Sequence, residues 1–164
     1  MNIAKTIQNL YARFGRLQGV TIECQKELVA IGVTNSVASA EIFLQGAQIS
    51  RFNRKQQIPI LFLSRQCSYK QSQPLRGGIP ICWPWFADIS SDKNTRNNAK
   101  LPAHGFVRTQ DWQVVNIVES TEATTITLST TQLGLYGFSE QLLTSVDFTF
   151  SIKCRITLIT KNTS

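Results

Sequence analysis

The chain has 164 residues, 42% of them hydrophobic and 16% charged, a composition that excludes wholesale disorder and fits one globular domain. Its 17 Lys and Arg against 10 Asp and Glu give a formal net charge of +7, which favours an anionic partner. The basic residues are scattered and form no run of five or more. We therefore expect a small anionic ligand, and neither a nucleic acid nor a membrane as partner.

The cysteines and the single histidine bear on metal sites and on the cellular compartment. Cys24, Cys67, Cys82 and Cys154 lie far apart in the sequence and form no C-x-x-C pair, so local spacing assembles neither a zinc site nor a redox motif. We expect reduced, structural thiols. The N-terminus lacks the apolar core of a signal peptide, and no apolar stretch reaches membrane-spanning length, so we expect a cytoplasmic protein.

The first predicted element is a helix, and almost everything after it is predicted as strand. Apolar residues recur at intervals of three and four up to Phe14, and Gly15 is a plausible stop, so residues 2–14 are predicted as one amphipathic helix. The later segments are short, apolar or alternating, and separated by Gly, Asn, Ser and Gln, which indicates an all-β protein. The predicted strands cover residues 20–23, 28–33, 41–44, 49–52, 58–63, 112–118, 124–129, 144–152 and 155–160.

Residues 67–98 interrupt this series of strands. The segment contains several Pro and Gly residues and two Trp, and a long stretch without periodicity is usually functional or disordered. Its first half is aromatic and its second half is polar. We expect an ordered functional loop over residues 76–86 and a mobile excursion over residues 88–100.

Arg76 is the first candidate ligand-binding residue. It immediately precedes Gly77 and Gly78, which permit close approach of the backbone to a ligand, while the guanidinium offers a planar fork of donors suited to phosphate or carboxylate. The alternative is a tight turn in which Arg76 is merely solvated.

His104 and Arg108 form the second candidate cluster. His104 is the only histidine, and therefore the only side chain whose unperturbed titration lies near neutral pH. If the segment is extended, Arg108 points to the same face as His104 and Phe106. The alternative is a histidine that caps a turn and an arginine that pairs with a nearby carboxylate such as Asp111.

Together the two segments resemble a known family. The sequence Arg-Gly-Gly-Ile-Pro-Ile-Cys-Trp-Pro-Trp-Phe at 76–86, followed by Leu-Pro-Ala-His-Gly-Phe-Val-Arg at 101–108, is similar to the glucose-6-phosphate 1-epimerase (hexose-6-phosphate mutarotase) family of the aldose 1-epimerase superfamily. Residues 41–52 look like the family's early strand-Gly-Ala-strand, and residues 61–64 resemble its apolar Leu-Phe-Leu-Ser segment. The likeness extends over about residues 20–164.

The resemblance implies an incomplete galactose-mutarotase-like β-sandwich, with a helical lead-in over residues 1–18 and the sandwich over residues 19–164. It implies that Arg76 and Arg108 converge on the phosphate of a hexose 6-phosphate, and that His104 lines the cleft and takes part in anomer interconversion. It implies no metal and no organic cofactor. Ala87 stands where relatives commonly have Gly. The family's second His and its catalytic Glu follow the Asn-Thr-Ser turn at which this sequence ends, so we expect weak or no activity from the chain alone.

Two further functions are open on the sequence. The missing acid or base partner makes a sugar-phosphate binding module without turnover plausible. A nucleic-acid binder has weak support, because the aromatic residues cluster in a Pro-rich loop and do not alternate with Lys and Arg.

An incomplete sandwich has unpaired strand edges, so we expect the chain to have a tendency to associate with other copies of itself.

Overall fold

The computed structural model describes residues 2–88, 101–130 and 142–162. The predicted helix is confirmed as α1, Ile3–Phe14. The Asn2 side chain caps it by accepting a hydrogen bond from the backbone N–H of Lys5, and it ends at Gly15. Its buried residues Leu10 and Phe14 pack into the main core, and no helix in the described ranges is long and apolar enough to cross a membrane.

The strands form two antiparallel four-stranded sheets, each with its strands in sequence order. The first sheet contains β1 (Val20–Gln25), β2 (Leu28–Thr34), β3 (Ala38–Phe43) and β4 (Gln48–Arg54). The second contains β5 (Gln113–Glu119), β6 (Thr124–Thr130), β7 (Leu142–Phe150) and β8 (Cys154–Asn162). Eight of the nine predicted strands are thereby confirmed within a few residues.

The two sheets pack face to face around one core, which confirms the predicted sandwich. The ring of Phe52 on β4 stacks on that of Phe150 on β7, with 6.3 Å between ring centroids. Asn35, after β2, donates from Nδ2 to the backbone oxygen of Phe150 at 3.0 Å. Helix α1 contacts both sheets, because Tyr11 donates to the backbone oxygen of Ile22 and Arg13 donates to that of Val114.

The prediction of a strand over residues 58–63 is wrong. Leu63 makes an isolated bridge, to Gly77, and the segment forms no strand ladder. Pro59 has no N–H to donate, and Ile58 and Phe62 remain 85% and 74% exposed. The apolar composition therefore marks an uncovered surface here, and not a sheet interior.

A second, smaller core lies on the outer face of the first sheet. There Leu28, Ala30 and Phe43 pack against Cys67 and Leu75 from the connection that follows β4. This packing explains why β2 is buried on both faces over most of its length. It also places the loop that carries Arg76 beside the end of β3 and the start of β4.

Beyond β8 the sheet has no further strand in the described part of the chain. Leu158 lies opposite Val146 of β7 and therefore points to the same face, yet Leu158 is 43% exposed while Val146 is fully buried. The apolar inner face of the second sheet thus continues onto β8 without being fully covered.

Candidate functional site

The two candidate segments lie side by side. Trp83 forms a parallel bridge with Gly105, and the backbone N–H of Phe106 donates to the oxygen of Trp83 at 3.2 Å. Two rings from the first segment, Trp83 and Trp85, pack edge-on against Phe106, with centroids 5.9 and 5.8 Å away. The two segments are therefore parts of one local structure. In the sequence analysis only the family resemblance linked them.

Gly105 permits this approach. It has φ of +74°, and a Cβ at this position would overlap the backbone of Trp83. The Trp83–Pro84 peptide bond within the first segment is cis.

The ordered loop that we predicted over residues 76–86 is confirmed as an irregular segment held by isolated bridges. The mobile excursion predicted over residues 88–100 falls mainly on residues 89–100, which lie outside the described ranges.

His104 is fixed by reciprocal hydrogen bonds with Ala87. Its backbone N–H donates to the oxygen of Ala87 at 2.9 Å, and its Nδ1 accepts from the N–H of Ala87 at 3.0 Å. The ring also lies against Phe86, with 4.8 Å between centroids. Because Nδ1 is the acceptor, the neutral imidazole carries its hydrogen on Nε2. As in the predicted alternative of a histidine that caps a turn, the His104 side chain accepts a hydrogen bond from a backbone N–H. This hydrogen bond leaves the N–H at Nε2 as the donor of the ring.

Ala87 and His104 both adopt left-handed backbone conformations, with φ of +63° and +65°. Such conformations favour glycine. Alanine is nevertheless accommodated at position 87, because its N–H still donates to Nδ1 of His104.

Arg76 lies on an exposed loop beside a polar cleft of about 420 Å³, which it lines together with Ser64, Gln66, Ser68 and Gln73. The backbone around Arg76 is well fixed. Its N–H donates to the sulfur of Cys67 at 3.2 Å, and its oxygen accepts from the N–H of Ser64 at 2.9 Å. Neither His104 nor Arg108 is among the described residues that line this cleft.

Arg108 lies in a 3-10 helix, Val107–Thr109, and is half-buried. The extended geometry considered for residues 104–108 is therefore not adopted. The positive charge of Arg108 affects the pKa of the neighbouring Cys82 thiol. Burial raises this pKa, and the charge of Arg108 partly opposes the rise. The convergence of Arg76 and Arg108 on one phosphate stays a prediction.

Two buried glutamines escaped the sequence analysis. Gln45 and Gln48 are 3% and 1% exposed, and their side chains donate hydrogen bonds to the backbone of residues 72–78, called here the Arg76 loop. The only sequence indication was their position on either side of Gly46 and Ala47, in the segment that carries the family's strand-Gly-Ala-strand pattern. The described residues contain no group of three or more His, Cys, Asp or Glu that could bind a metal ion.

Residues 30–164 match the model of the Aldose 1-epimerase family. The chain is 32% identical over 106 residues to an Escherichia coli (strain K12) protein provisionally named glucose-6-phosphate 1-epimerase, a match that covers 65% of the chain and 34% of that protein. It is 35% identical over 86 residues to a protein of the same provisional name from Salmonella typhimurium (strain LT2), covering 52% of the chain and 27% of that protein.

Solved structures show the same fold. The crystal structure of a provisionally assigned mutarotase (YeaD) from Salmonella typhimurium superposes with a TM-score of 0.79 at 24% identity, covering 89% of the chain and 48% of that structure. The crystal structure of HI1317 superposes with a TM-score of 0.72 at 24% identity, covering 87% of the chain and 48% of that structure. The chain therefore spans about half the length of these solved structures.

Proposed function

The chain belongs to the aldose 1-epimerase family, and on that basis we propose that it binds a hexose 6-phosphate such as glucose 6-phosphate and takes part in interconverting its α and β anomers. The observation that carries the proposal is the pairing of Ala87 with His104, which orients the imidazole where the two motif segments meet. We also expect the chain to act in the cytoplasm, where sugar phosphates are found.

The chemistry assigns different roles to the arginines and the histidine. Mutarotation opens the sugar ring when a base removes the proton of the O1 hydroxyl and an acid donates a proton to the ring oxygen O5. His104, with its hydrogen on Nε2, suits the donor role toward O5. Arg76 and Arg108 suit the phosphate, because guanidinium groups form charge-assisted, bidentate hydrogen bonds to phosphate oxygens.

A second candidate is binding without turnover. The sequence has a single histidine, and none of its carboxylates matches the family's base. A positioned acid or base contributes about 10² to 10⁴ in rate, so a chain with one of the two groups would retain binding and lose most of the catalysis.

Titration calorimetry with glucose 6-phosphate, run beside a polarimetric assay of anomerisation, tests both candidates. We expect the wild type to bind, and Arg76→Ala and Arg108→Ala each to weaken binding by about tenfold or more, since a hydrogen bond to a charged group contributes about 1.5–3 kcal/mol. Arg155→Ala is the matched control, because Arg155 is exposed on β8 and removal of its charge changes the net charge equally.

The outcomes separate the candidates. Anomerisation above the uncatalysed rate that disappears in His104→Ala supports catalysis by the chain. Binding without anomerisation supports the second candidate. An equal loss of affinity in Arg155→Ala and in the two motif variants would show that net charge, and not the proposed site, attracts the phosphate.

Association through strand edges is a separate proposal, supported by the partly uncovered β8. We expect the elution volume in size-exclusion chromatography to decrease as protein concentration rises. A monomer at every concentration, with one cooperative thermal transition, would contradict it.

A further inference from the structure

The turn between β3 and β4, formed by Gln45, Gly46, Ala47 and Gln48 and called here the 45–48 turn, contacts the backbone of both arginine-bearing segments. Its two glutamine side chains are almost completely buried. A buried amide is costly unless its donors and acceptor are satisfied, so the partners of these side chains are specified by the fold.

On one side the turn bonds to the loop that carries Arg76. The Gln45 side chain accepts from the N–H of Ser72 at 2.6 Å and donates to the oxygen of Gln73 at 2.8 Å. The Gln48 amide donates to the oxygen of Gly77 at 2.5 Å. Backbone groups before and after Arg76 are thus bonded to a single turn, in an irregular segment that forms no strand ladder of its own.

On the other side the turn packs against the segment that carries Arg108. The N–H of Gly46 donates to the oxygen of Gln110 at 2.7 Å. Gly46 has φ of +72°, and a Cβ there would overlap the backbone oxygen of Arg108. The backbone of Arg108 can therefore approach only because residue 46 is glycine.

We propose that Gln45 and Gln48 are positioning residues that set the Arg76 loop relative to the Arg108 segment, so that the 45–48 turn determines how the two guanidinium groups present themselves to a phosphate. What the arginines bind rests on the function proposed above. The physical reason is preorganisation: a loop fixed before binding loses less conformational entropy when the ligand arrives. Neither glutamine is assigned any contact with the sugar or any step of the chemistry.

Gln48→Met tests the proposal, because methionine matches the length of glutamine but cannot donate to Gly77. The first measurement is amide hydrogen exchange of residues 72–78, followed by mass spectrometry. The second is affinity for glucose 6-phosphate by calorimetry. We expect faster exchange in this loop, unchanged exchange in the second sheet, and affinity lower by about fivefold to thirtyfold, as expected for the loss of one or two neutral hydrogen bonds.

Asn35→Leu is the matched control. It also removes a buried amide that donates to a backbone oxygen, but that amide joins the two sheets through Phe150 and has no part in the Arg76 loop. It should lower global stability without changing loop exchange or affinity. If Gln48→Met does not fold, Gln45→Met replaces it, since methionine matches the length of glutamine but offers neither the acceptor for the N–H of Ser72 nor the donor to the oxygen of Gln73.

Each outcome decides the matter. Wild-type exchange rates over residues 72–78 in Gln48→Met would overturn the proposal whether or not the protein binds sugar phosphate. Faster loop exchange with undiminished affinity would also overturn it. If the wild type does not bind glucose 6-phosphate, the proposed function fails, and loop exchange alone decides whether the glutamines set this loop.

Discussion

Replacing Gly105 with alanine should separate the two motif segments, at a cost that follows from the local geometry. The positive φ of +74° disfavours alanine by about 1 kcal/mol. The new Cβ would also overlap the backbone of Trp83, with its nitrogen only 2.9 Å away, and backbone atoms cannot rotate aside as a side chain can. Relief requires a shift that weakens the hydrogen bond from Phe106 to Trp83, and an unsatisfied buried group costs about 1–3 kcal/mol.

The total expected destabilisation of Gly105→Ala is about 2–4 kcal/mol, a large part of the 5–15 kcal/mol typical of a domain. Urea unfolding followed by far-ultraviolet circular dichroism measures this free energy. Gly32→Ala is the control, because its Cβ would meet only the Thr21 side chain and its φ is not positive. A loss below about 0.5 kcal/mol in Gly105→Ala, or an equal loss in both variants, would refute the reasoning.

Three further predictions follow from burial and charge. Thr124 is fully buried and its hydroxyl has no hydrogen-bond partner in the described ranges, so Thr124→Val should raise the free energy of unfolding by about 1 kcal/mol; a decrease would contradict this. Arg108→Ala should raise the pKa of the Cys82 thiol further, so iodoacetamide should alkylate Cys82 more slowly at pH 8; unchanged kinetics would show that the charge of Arg108 does not act on the thiol. Burial raises the pKa of Tyr69, Cys82 and Cys154 in the folded state, so at high pH the folded chain retains protons that the unfolded chain loses. The urea concentration at the midpoint of unfolding should therefore fall as the pH rises above 9.0, the ordinary pKa of a thiol. A constant midpoint between pH 8 and 10.5 would contradict this prediction.

The regular elements were predictable because their burial follows sequence periodicity. On β6 and the later part of β7, buried and partly exposed residues alternate, as expected for strands with one face in the core. Helix α1 likewise follows the spacing of its apolar residues. Residues 58–63 show the limit of this approach, because an apolar composition does not reveal whether other elements are present to cover the segment.

The sequence by itself determined the chemical character of the candidate site, which contains a guanidinium beside two glycines, a lone histidine, and a second arginine in a specific motif. It could not determine which backbones these residues contact. The pairing of Ala87 with His104 and the burial of Gln45 and Gln48 depend on segments that are distant in sequence. A glutamine is ordinarily solvated, and it becomes buried only where tertiary packing supplies partners for its amide, so only the tertiary structure could show that these two glutamines bond to the Arg76 loop.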